Sequence, residues 1–546
     1  MESLKENNKN EKIIKKETIL NCDTVNLAKI KINEGNYNNI SNNIGDFMLN
    51  KENLKVLLIY PQYPNTFWSF KNILKLIGKK AAYPPFGLLT VASMLPKNWT
   101  KKLIDMNVSK LKDEDIINAD MVFLSAMIVQ KESTKEVIKK IKSFNKPIVA
   151  GGPLFTTGWE EFVNDVDYLV LGEAEENLDT FLNDLSLGKA KKIYEVSTFP
   201  DIKKSVIPQW DLINKKDYNS MCIQISRGCP FNCEFCDIVR LNGRKPRIKT
   251  KEQVINELEA LYHWGWRGGV FFVDDNFIGN KQIIQNEILP AIIEWQEKRR
   301  QPFLFNTQVS IDLADRPELI NLMVKAGVTT LFIGIESPDS ESLEECNKVQ
   351  NENRDLVQSV KKLQNAGFEV QGGFIVGFDN DKPSIFQKQI EFIQKSGIVT
   401  AMVGLLNALP KTKLYQRLKD DGRLLTESSG VNTAFELNFK PKMDKELLIK
   451  GYQSIMKTIY SPREYYKRVK TFLKEYKPPF RKPPKFGLYH IKALFSSIWL
   501  SGFKYKGKRY YWSLLLWSLF RRPSAIPYVI GSSLVGIHFH KLYCEA

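Results

Sequence analysis

The sequence predicts an α/β protein in two successive units: a doubly wound, Rossmann-like parallel sheet, then a partial (β/α)6 barrel, with a helical extension after them. Three features carry that expectation. From Lys55 to about residue 430, short apolar runs alternate with amphipathic segments, the pattern of parallel strands covered by helices on both faces. In the second half of that region, polar residues gather just past the ends of the apolar runs. Beyond it the rhythm stops, and the chain reads as helix rich in aromatic and basic residues. With 546 residues, 43% of them hydrophobic, the chain can fill the cores of two or three domains.

Residues 1–50 read as a disordered leader. They are rich in Asn, Lys and Glu, with Tyr37 and Phe47 the only aromatics, and bury too little apolar area to offset their ordering entropy. The first unit is expected over 51–200. Its runs are "VLLIYP" (56–61), "MVFLSAMI" (121–128), "KPIVAGGP" (146–153) and "DYLVLGEAE" (167–175), separated by segments such as "STKEVIKKIKSF" (133–144). A doubly wound sheet binds ligands at the carboxyl ends of its strands. Gly151 and Gly152 fall at such an end, where missing side chains let a large ligand approach the backbone. A plain βα turn also explains "GGP".

The second unit is expected over 215–430, with runs beginning at "CIQISRG" (222–228), "GGVFFVDDNF" (268–277), "FLFNTQVSI" (303–311), "TTLFIGIES" (329–337), "FEVQGGFIVGFD" (368–379) and "VTAMVGLLNALP" (399–410). Six βα units suit a partial barrel, whose carboxyl rim carries the chemistry. Asp274, Asp275, Asn276, Gln308, Glu336, Ser337 and Asp379 all lie on that rim. Each could equally cap the helix that follows it.

The loop after the first of these strands reads "SRGCPFNCEFCDIVRLNGRKPR" (226–247) and holds Cys229, Cys233 and Cys236. A closed structural zinc site uses four ligands, and a disulfide framework an even number. Seven cysteines are too few for a secreted disulfide scaffold, and residues 1–20 lack the apolar core of a signal peptide. A reducing cytoplasm is therefore expected, with free thiols. Three thiolates on one short loop suit a [4Fe–4S] cubane whose fourth iron stays open. A zinc knuckle completed by His263 or Cys222 is the alternative.

This Cys-x3-Cys-x2-Cys loop, with Phe235 before its last cysteine, resembles the signature of the radical S-adenosylmethionine (SAM) superfamily. The resemblance implies that the open iron chelates SAM and that an electron from the cluster cleaves it to a 5′-deoxyadenosyl radical. It also implies SAM-binding roles. Phe235 and the backbone near Ile375 in "GFIVGFD" would lie at the adenine. Asp274, Asp275 and Asn276 match the strand end that binds the amine, without the familiar Gly-Gly-Glu wording. Glu336 and Ser337 in "GIES" would meet the ribose or amino group.

The first unit resembles the cobalamin-binding domain of one class of these enzymes, through "YPPFGLLTVASML" (83–95), "LIDMN" (103–107), "VAGGP" (149–153) and "LVLGEAEE" (169–176). With "GRKPR" (243–247), "DDNFIGN" (274–280) and "YQSIMKTIYSPREYY" (452–466), the chain is similar to the cobalamin-dependent methyltransferases of the subgroup containing the hopanoid C-2 methylase. The implied cobalamin contacts are Ser125, Ile128, Val129, Gln130, Gly151, Gly152, Thr156, Gly172 and Glu173. Many such domains bind cobalt through histidine, but the four histidines here, His263, His490, His538 and His540, all lie outside this unit. The cobalamin is therefore expected His-off, its lower face near Ile128, Val129 or Gln130 in "SAMIVQKES" (125–133). A domain that kept the fold and lost the cofactor is the alternative.

The reaction implied is C-methylation of an unactivated carbon with two SAM molecules, one supplying methyl to Co(I) and the other the radical that abstracts hydrogen. An external electron donor of flavodoxin or ferredoxin type is implied with it. A cobalamin radical SAM cyclase or ring-remodelling enzyme, for instance on a tetrapyrrole, and a non-catalytic metal- or RNA-binding protein are the competing readings.

The extension, 431–546, bears on substrate. Of a net charge of +18, more than half comes from Lys474 onward, where thirteen basic residues face only Glu475 and Glu545. "SIWLSGFKYKGKRYYWSLLLWSLFRRPSAIPYVIG" (497–531) interleaves Trp499, Trp512 and Trp517 with Lys504, Lys506, Lys508, Arg509, Arg521 and Arg522. Its apolar run 513–520 is far shorter than the roughly 20 residues a membrane span needs. Such a segment suits the membrane interface, and with it a lipid-like substrate and a peripheral position on the inner membrane face. A helix packed on the barrel with a solvated basic face is the other reading. No RNA-binding motif accompanies the charge.

Overall fold

The structure, a computed structural model, describes residues 53–196, 198–431, 435–478 and 488–545. The expected leader and residues 479–487 of the Pro-rich stretch lie outside them. The first sheet contains β1 (Lys55–Tyr60), β2 (Thr100–Asp105), β3 (Met121–Ser125), β4 (Ile148–Gly151), β5 (Tyr168–Val170) and β6 (Ile193–Tyr194). All pairs are parallel, in the order β2-β1-β3-β4-β5-β6. Alternation along β1 explains why its whole run is apolar: Leu57 and Ile59 enter the core on one face, Val56 and Leu58 the core on the other. The chain order reverses between β1 and β3, the switch point where such sheets open a crevice. There Ser125 stands opposite Gly151, and Gly151 opposite Val170, so the ends of β3, β4 and β5 are level.

The second sheet is also parallel. It contains β7 (Ser220–Ile223), β10 (Gly269–Phe272), β11 (Leu304–Gln308), β12 (Val328–Glu336), β13 (Glu369–Val376) and β14 (Ala401–Leu405), ordered β14-β13-β12-β11-β10-β7. A short antiparallel pair, β8 (Ser226–Arg227) and β9 (Arg247–Ile248), brackets the cysteine loop. Outward residues of the barrel strands, among them Val270, Phe272, Phe305, Leu331 and Val403, join the main core. Helices begin where their caps say they should. Thr250 Oγ1 accepts from Gln253 N (3.2 Å) while Gln253 Oε1 accepts from Thr250 N (3.1 Å), a reciprocal box opening the helix Lys251–His263.

Two segments of the first unit lock onto the barrel. Ser220 N donates to Ala82 O (3.0 Å) and Tyr218 Oη to Asp105 Oδ2 (3.0 Å), which fixes β7 against the first unit. From the loop after β1, Trp68 reaches the barrel strands: its ring stands edge-on to Phe332 (5.5 Å) and its Nε1 lies 3.0 Å from Met402 Sδ. Tyr83 packs on Phe271 with ring centroids 5.1 Å apart.

Among the described residues the extension has five α-helices, α1 (Lys445–Ile459), α2 (Pro462–Glu475), α3 (Leu488–Ser497), α4 (Lys508–Arg521) and α5 (Ile526–Tyr543). Asp444 caps α1 through Leu447 N (2.8 Å), and Pro462 at the first turn of α2 makes the break between them. α5 is the inner helix. Its Phe539 stacks on Phe67 (4.4 Å), and the carbonyl of its Ser532 accepts from Tyr465 Oη (2.7 Å). Among the described residues no helix is long and apolar enough to cross a membrane.

Candidate active site

The cysteine loop leaves β8 and is held on several sides. Gly228 N donates to Asp275 Oδ2 (2.7 Å), Cys229 N to the carbonyl of Gly243 (3.1 Å) and Glu234 N to the carbonyl of Cys346 (3.0 Å). Arg417 clamps Glu234 from outside through two parallel bonds of 2.6 and 2.9 Å. Cys233 is buried; Cys229 and Cys236 are half-buried, and burial pushes both of these thiols up. Thiols must lose their protons to bind a metal, and soft thiolates are the donors an iron–sulfur cluster takes.

The zinc alternative does not gain its fourth ligand from the expected residues. Cys222 is a core residue of β7, and His263 is exposed at the end of its helix, 3.2 Å from Glu259. A fourth thiol that the spacing gave no reason to consider, Cys346, adjoins the loop, but its Sγ faces the carbonyl of Leu343 at 3.5 Å.

The expected SAM residues divide into two groups. Asp274, Asn276 and Ser337 are internal ties. Asp274 is fully buried and accepts from the Ser226 backbone and hydroxyl (the latter at 2.6 Å); burial pushes its carboxyl up to about 7. Asn276 bonds Ser310 through both ends of its amide, at 3.2 and 3.3 Å, and Ser337 Oγ accepts from Asp339 N (3.1 Å). Asp275 holds the loop as described and also accepts from Asn242 Nδ2 (2.9 Å). In each case the expected donor set meets its own chain, because rim carboxylates and amides satisfy the loop's backbone first.

The second group flanks the cysteines. Glu336 pairs with Lys348 at 2.6 Å, and Lys348 Nζ lies 6.0 Å from the centroid of Phe235. Phe235 in turn packs near Phe378 (6.4 Å), and half-buried Ile375 lies on β13 with its carbonyl accepting from Gln389 Nε2 (2.8 Å). Burial disfavours the Lys348 ammonium, but Glu336 and then Cys233 outweigh it and hold its pKa above the ordinary value. Two features of β12 make room for this pair. Glu336 adopts φ +62 at a shift of register against β13, and a Cβ on Gly334 would collide with Glu336 Oε1 and lie 2.8 Å from Lys348 Nζ. Lys348 reads in sequence as an ordinary surface lysine.

At the carboxyl ends of β3, β4 and β5, five expected cobalamin residues meet. Gly152 has φ +87, and a Cβ there would collide with Ser125 Oγ; Gly151 approaches the carbonyl of Val170, which a Cβ would meet at 2.8 Å. Thr156 Oγ1 donates to Gly152 O (2.9 Å) and accepts from Gly172 N (3.0 Å), tying the β4 and β5 loops into one cradle. That cradle, closed to any larger residue, fits a bulky ligand lying on bare backbone.

Beside the cradle, Ile128 and Val129 form a half-buried turn packed against Gly430. Two expected contacts have other work. Gln130 is fully buried; its amide donates to Pro61 O (2.5 Å) and accepts from Met127 N (2.8 Å), so it braces the turn. Glu173 is taken by Arg227 at 2.5 Å and by Arg247. Two of the tail histidines face other parts of the chain: His540 Nδ1 lies 3.2 Å from the carbonyl of Tyr460, and His538 is buried beside Phe70 (ring centroids 5.5 Å) with its pKa lowered to about 4 by burial.

Comparison with known proteins identifies the units along the chain. The profile of the radical SAM superfamily matches residues 223–393, that of the B12 binding domain residues 78–182, and that of a domain of unknown function (DUF4070) residues 412–546. The chain belongs to the cobalamin-dependent radical SAM methyltransferases, with a [4Fe–4S] cluster, SAM and cobalamin as cofactors. Within them it is 40% identical to an uncharacterized methyltransferase of Synechocystis sp. over 89% of this chain and 91% of that one. It is 33% identical to the hopanoid C-2 methylase of Rhodopseudomonas palustris over 76% of this chain and 78% of that one. Two solved structures share the fold. The cobalamin-dependent S-adenosylmethionine radical enzyme OxsB has a TM-score of 0.59 at 16% identity, covering 90% of this chain and 79% of that one. The radical S-adenosylmethionine methyltransferase TsrM from Kitasatospora setae has a TM-score of 0.58 at 13% identity, covering 90% and 99%.

Proposed function

We propose that the chain methylates an unactivated carbon of a lipid-like substrate of the isoprenoid or hopanoid class, drawing electrons from an external donor of flavodoxin or ferredoxin type. The observation that carries the arrangement is the joint between cradle and cysteine loop: Arg227, two residues before Cys229, grips Glu173, the residue after Gly172. The joint ties the loop after β5 to the base of the cysteine loop on the other sheet, which is catalysis by positioning. When bound, the cluster and cobalamin supply reductive cleavage of SAM and a transferable methyl group.

The chain's own residues hold and orient. Cys229, Cys233 and Cys236 ligate the cluster. Phe235 and Ile375 offer apolar surface to an adenine, and the Lys348–Glu336 pair offers opposite charges to the amino-acid end of SAM. Ser125, Ile128, Val129, Gly151, Gly152, Thr156 and Gly172 line the cobalamin cradle. The lipid class is supported by the similarity to the hopanoid C-2 methylase, which covers most of that protein.

The test is anaerobic reconstitution with iron, sulfide and hydroxocobalamin, followed by dithionite, a hopanoid and SAM carrying a deuterated methyl group. Deuterated methyl in the lipid alongside 5′-deoxyadenosine is the expected result. Deoxyadenosine without labelled lipid, under conditions where a tetrapyrrole is modified, would overturn the substrate class.

A further inference from the structure

Among the described residues, seven of the eighteen exposed large apolar side chains lie on α3, its π-helical continuation Ile498–Lys504, and α4. Phe495 (67% exposed), Trp499 (57%) and Phe503 (59%) follow one another at intervals of four, on one side of that helix. On α4, Leu516, Leu519 and Phe520 (80% exposed) form a second stripe. The two stripes join where Phe503 meets the ring of Trp512 at 5.9 Å. The hairpin is fixed in this attitude from behind. Trp512 Nε1 donates to Gly502 O (2.9 Å), Tyr511 and Leu514 are buried, and Arg522 donates to the carbonyl of Tyr476 (2.9 Å). Trp512 and Trp517 are thus half-buried, and the outward aromatic face is made instead by Phe495, Trp499, Phe503 and Phe520.

The cations complete the pattern. Lys504, Lys506, Lys508, Arg509 and Arg521 are exposed around the stripes, with Lys504 Nζ 5.3 Å from the centroid of Trp499. From Leu488 to Cys544 the sequence contains no Asp or Glu. A protein or nucleic-acid partner would need only one of these two features, whereas an anionic bilayer offers acyl chains to the aromatics and headgroups to the cations at once. We infer that the α3–α4 hairpin is a docking surface for anionic membrane, lying in the interface without spanning it. The inference stands on exposure and charge and does not depend on the substrate being a lipid.

The test is sedimentation of the full-length holoenzyme with vesicles of phosphatidylcholine alone or with about a third phosphatidylglycerol. The expected result is binding to the anionic vesicles at least ~10-fold tighter than to the neutral ones. The variant Phe495→Ser/Trp499→Ser/Phe503→Ser should weaken that binding ~10-fold or more with unchanged iron content and unfolding temperature, and Leu516→Ser/Phe520→Ser should do so independently. Equal binding by both variants would overturn the inference. So would a wild-type chain that ignores both vesicles and instead dimerises, or binds RNA, through this face.

Discussion

Arg227 and Glu173 meet at 2.5 Å across the joint between the two sheets, and Arg227 also bonds Glu175 at 2.8 Å. Arg247, opposite Arg227 in the β8–β9 ladder, grips Glu173 as well. Two guanidinium groups and two carboxylates, all largely buried, therefore connect the end of β5 to the base of the cysteine loop. Removing one member leaves buried charge uncompensated, at about 3–5 kcal/mol.

Arg227→Met should lower the unfolding temperature by several degrees while leaving three thiols to hold the cluster. Because the joint sets cradle against loop, the ratio of 5′-deoxyadenosine to methylated product should rise roughly 10-fold. Quantifying both products in one reaction checks this. An unchanged ratio would mean the joint is only structural.

Serine at Cys229, Cys233 or Cys236 should each remove the cluster's visible absorption and most of its iron, with cobalamin binding retained. Cys346→Ser should keep the iron, since that thiol faces the Leu343 carbonyl. Iron analysis after identical reconstitution distinguishes the four variants. Loss of iron from the Cys346 variant alone would sink the assignment.

Gly152→Ala combines a left-handed backbone with a Cβ directed at Ser125 Oγ. With ψ −176 this backbone is one that glycine alone adopts readily, and holding alanine in it costs about 1–3 kcal/mol; relief of the collision must also move the cradle. Cobalamin affinity should fall ~10-fold or more, read by absorption titration, with the cluster spectrum unchanged. Adding Ser125→Ala should restore little, because φ +87 remains.

Asp379 carries the clearest pH dependence. Burial pushes its carboxyl up, but Arg423 and Arg417 outweigh it and hold the pKa down at about 2. A depressed folded-state value stabilises above the ordinary carboxylate pKa, and that contribution is lost as pH falls toward 2. Asp379→Asn should therefore unfold more easily by ~2 kcal/mol near neutrality. Its midpoint should converge with that of the unaltered chain between about pH 4 and 2. Thermal melts across that range check the convergence.

The strands were legible because parallel strands buried on both faces leave unbroken apolar runs, and the cysteines because three thiols at close spacing have few other uses. The rim residues were less so. A polar side chain at a strand end can face a ligand or a distant part of its own chain, and spacing alone does not say which. Gln130 turned inward to Pro61, and Glu173 found Arg227, 54 positions away. Lys348 gave no signal, since its role arises only when β12 bulges at Glu336. The same limit holds in the extension, where Trp499 was recognisable as an exposed aromatic but only the packing of α4 separates Leu516 and Phe520 from buried Leu514.

The stack of Phe67 on Phe539 has a consequence for how the molecule is made. Nearly the whole chain separates these two rings, and Phe67 adjoins Trp68, whose indole meets the barrel. During synthesis the loop after β1 emerges early and waits for its last aromatic partner until α5 has left the ribosome. That aromatic stack cannot form before α5 has been made, so the loop stays without its partner through most of the chain's synthesis and should depend on chaperones to shield it in the interval.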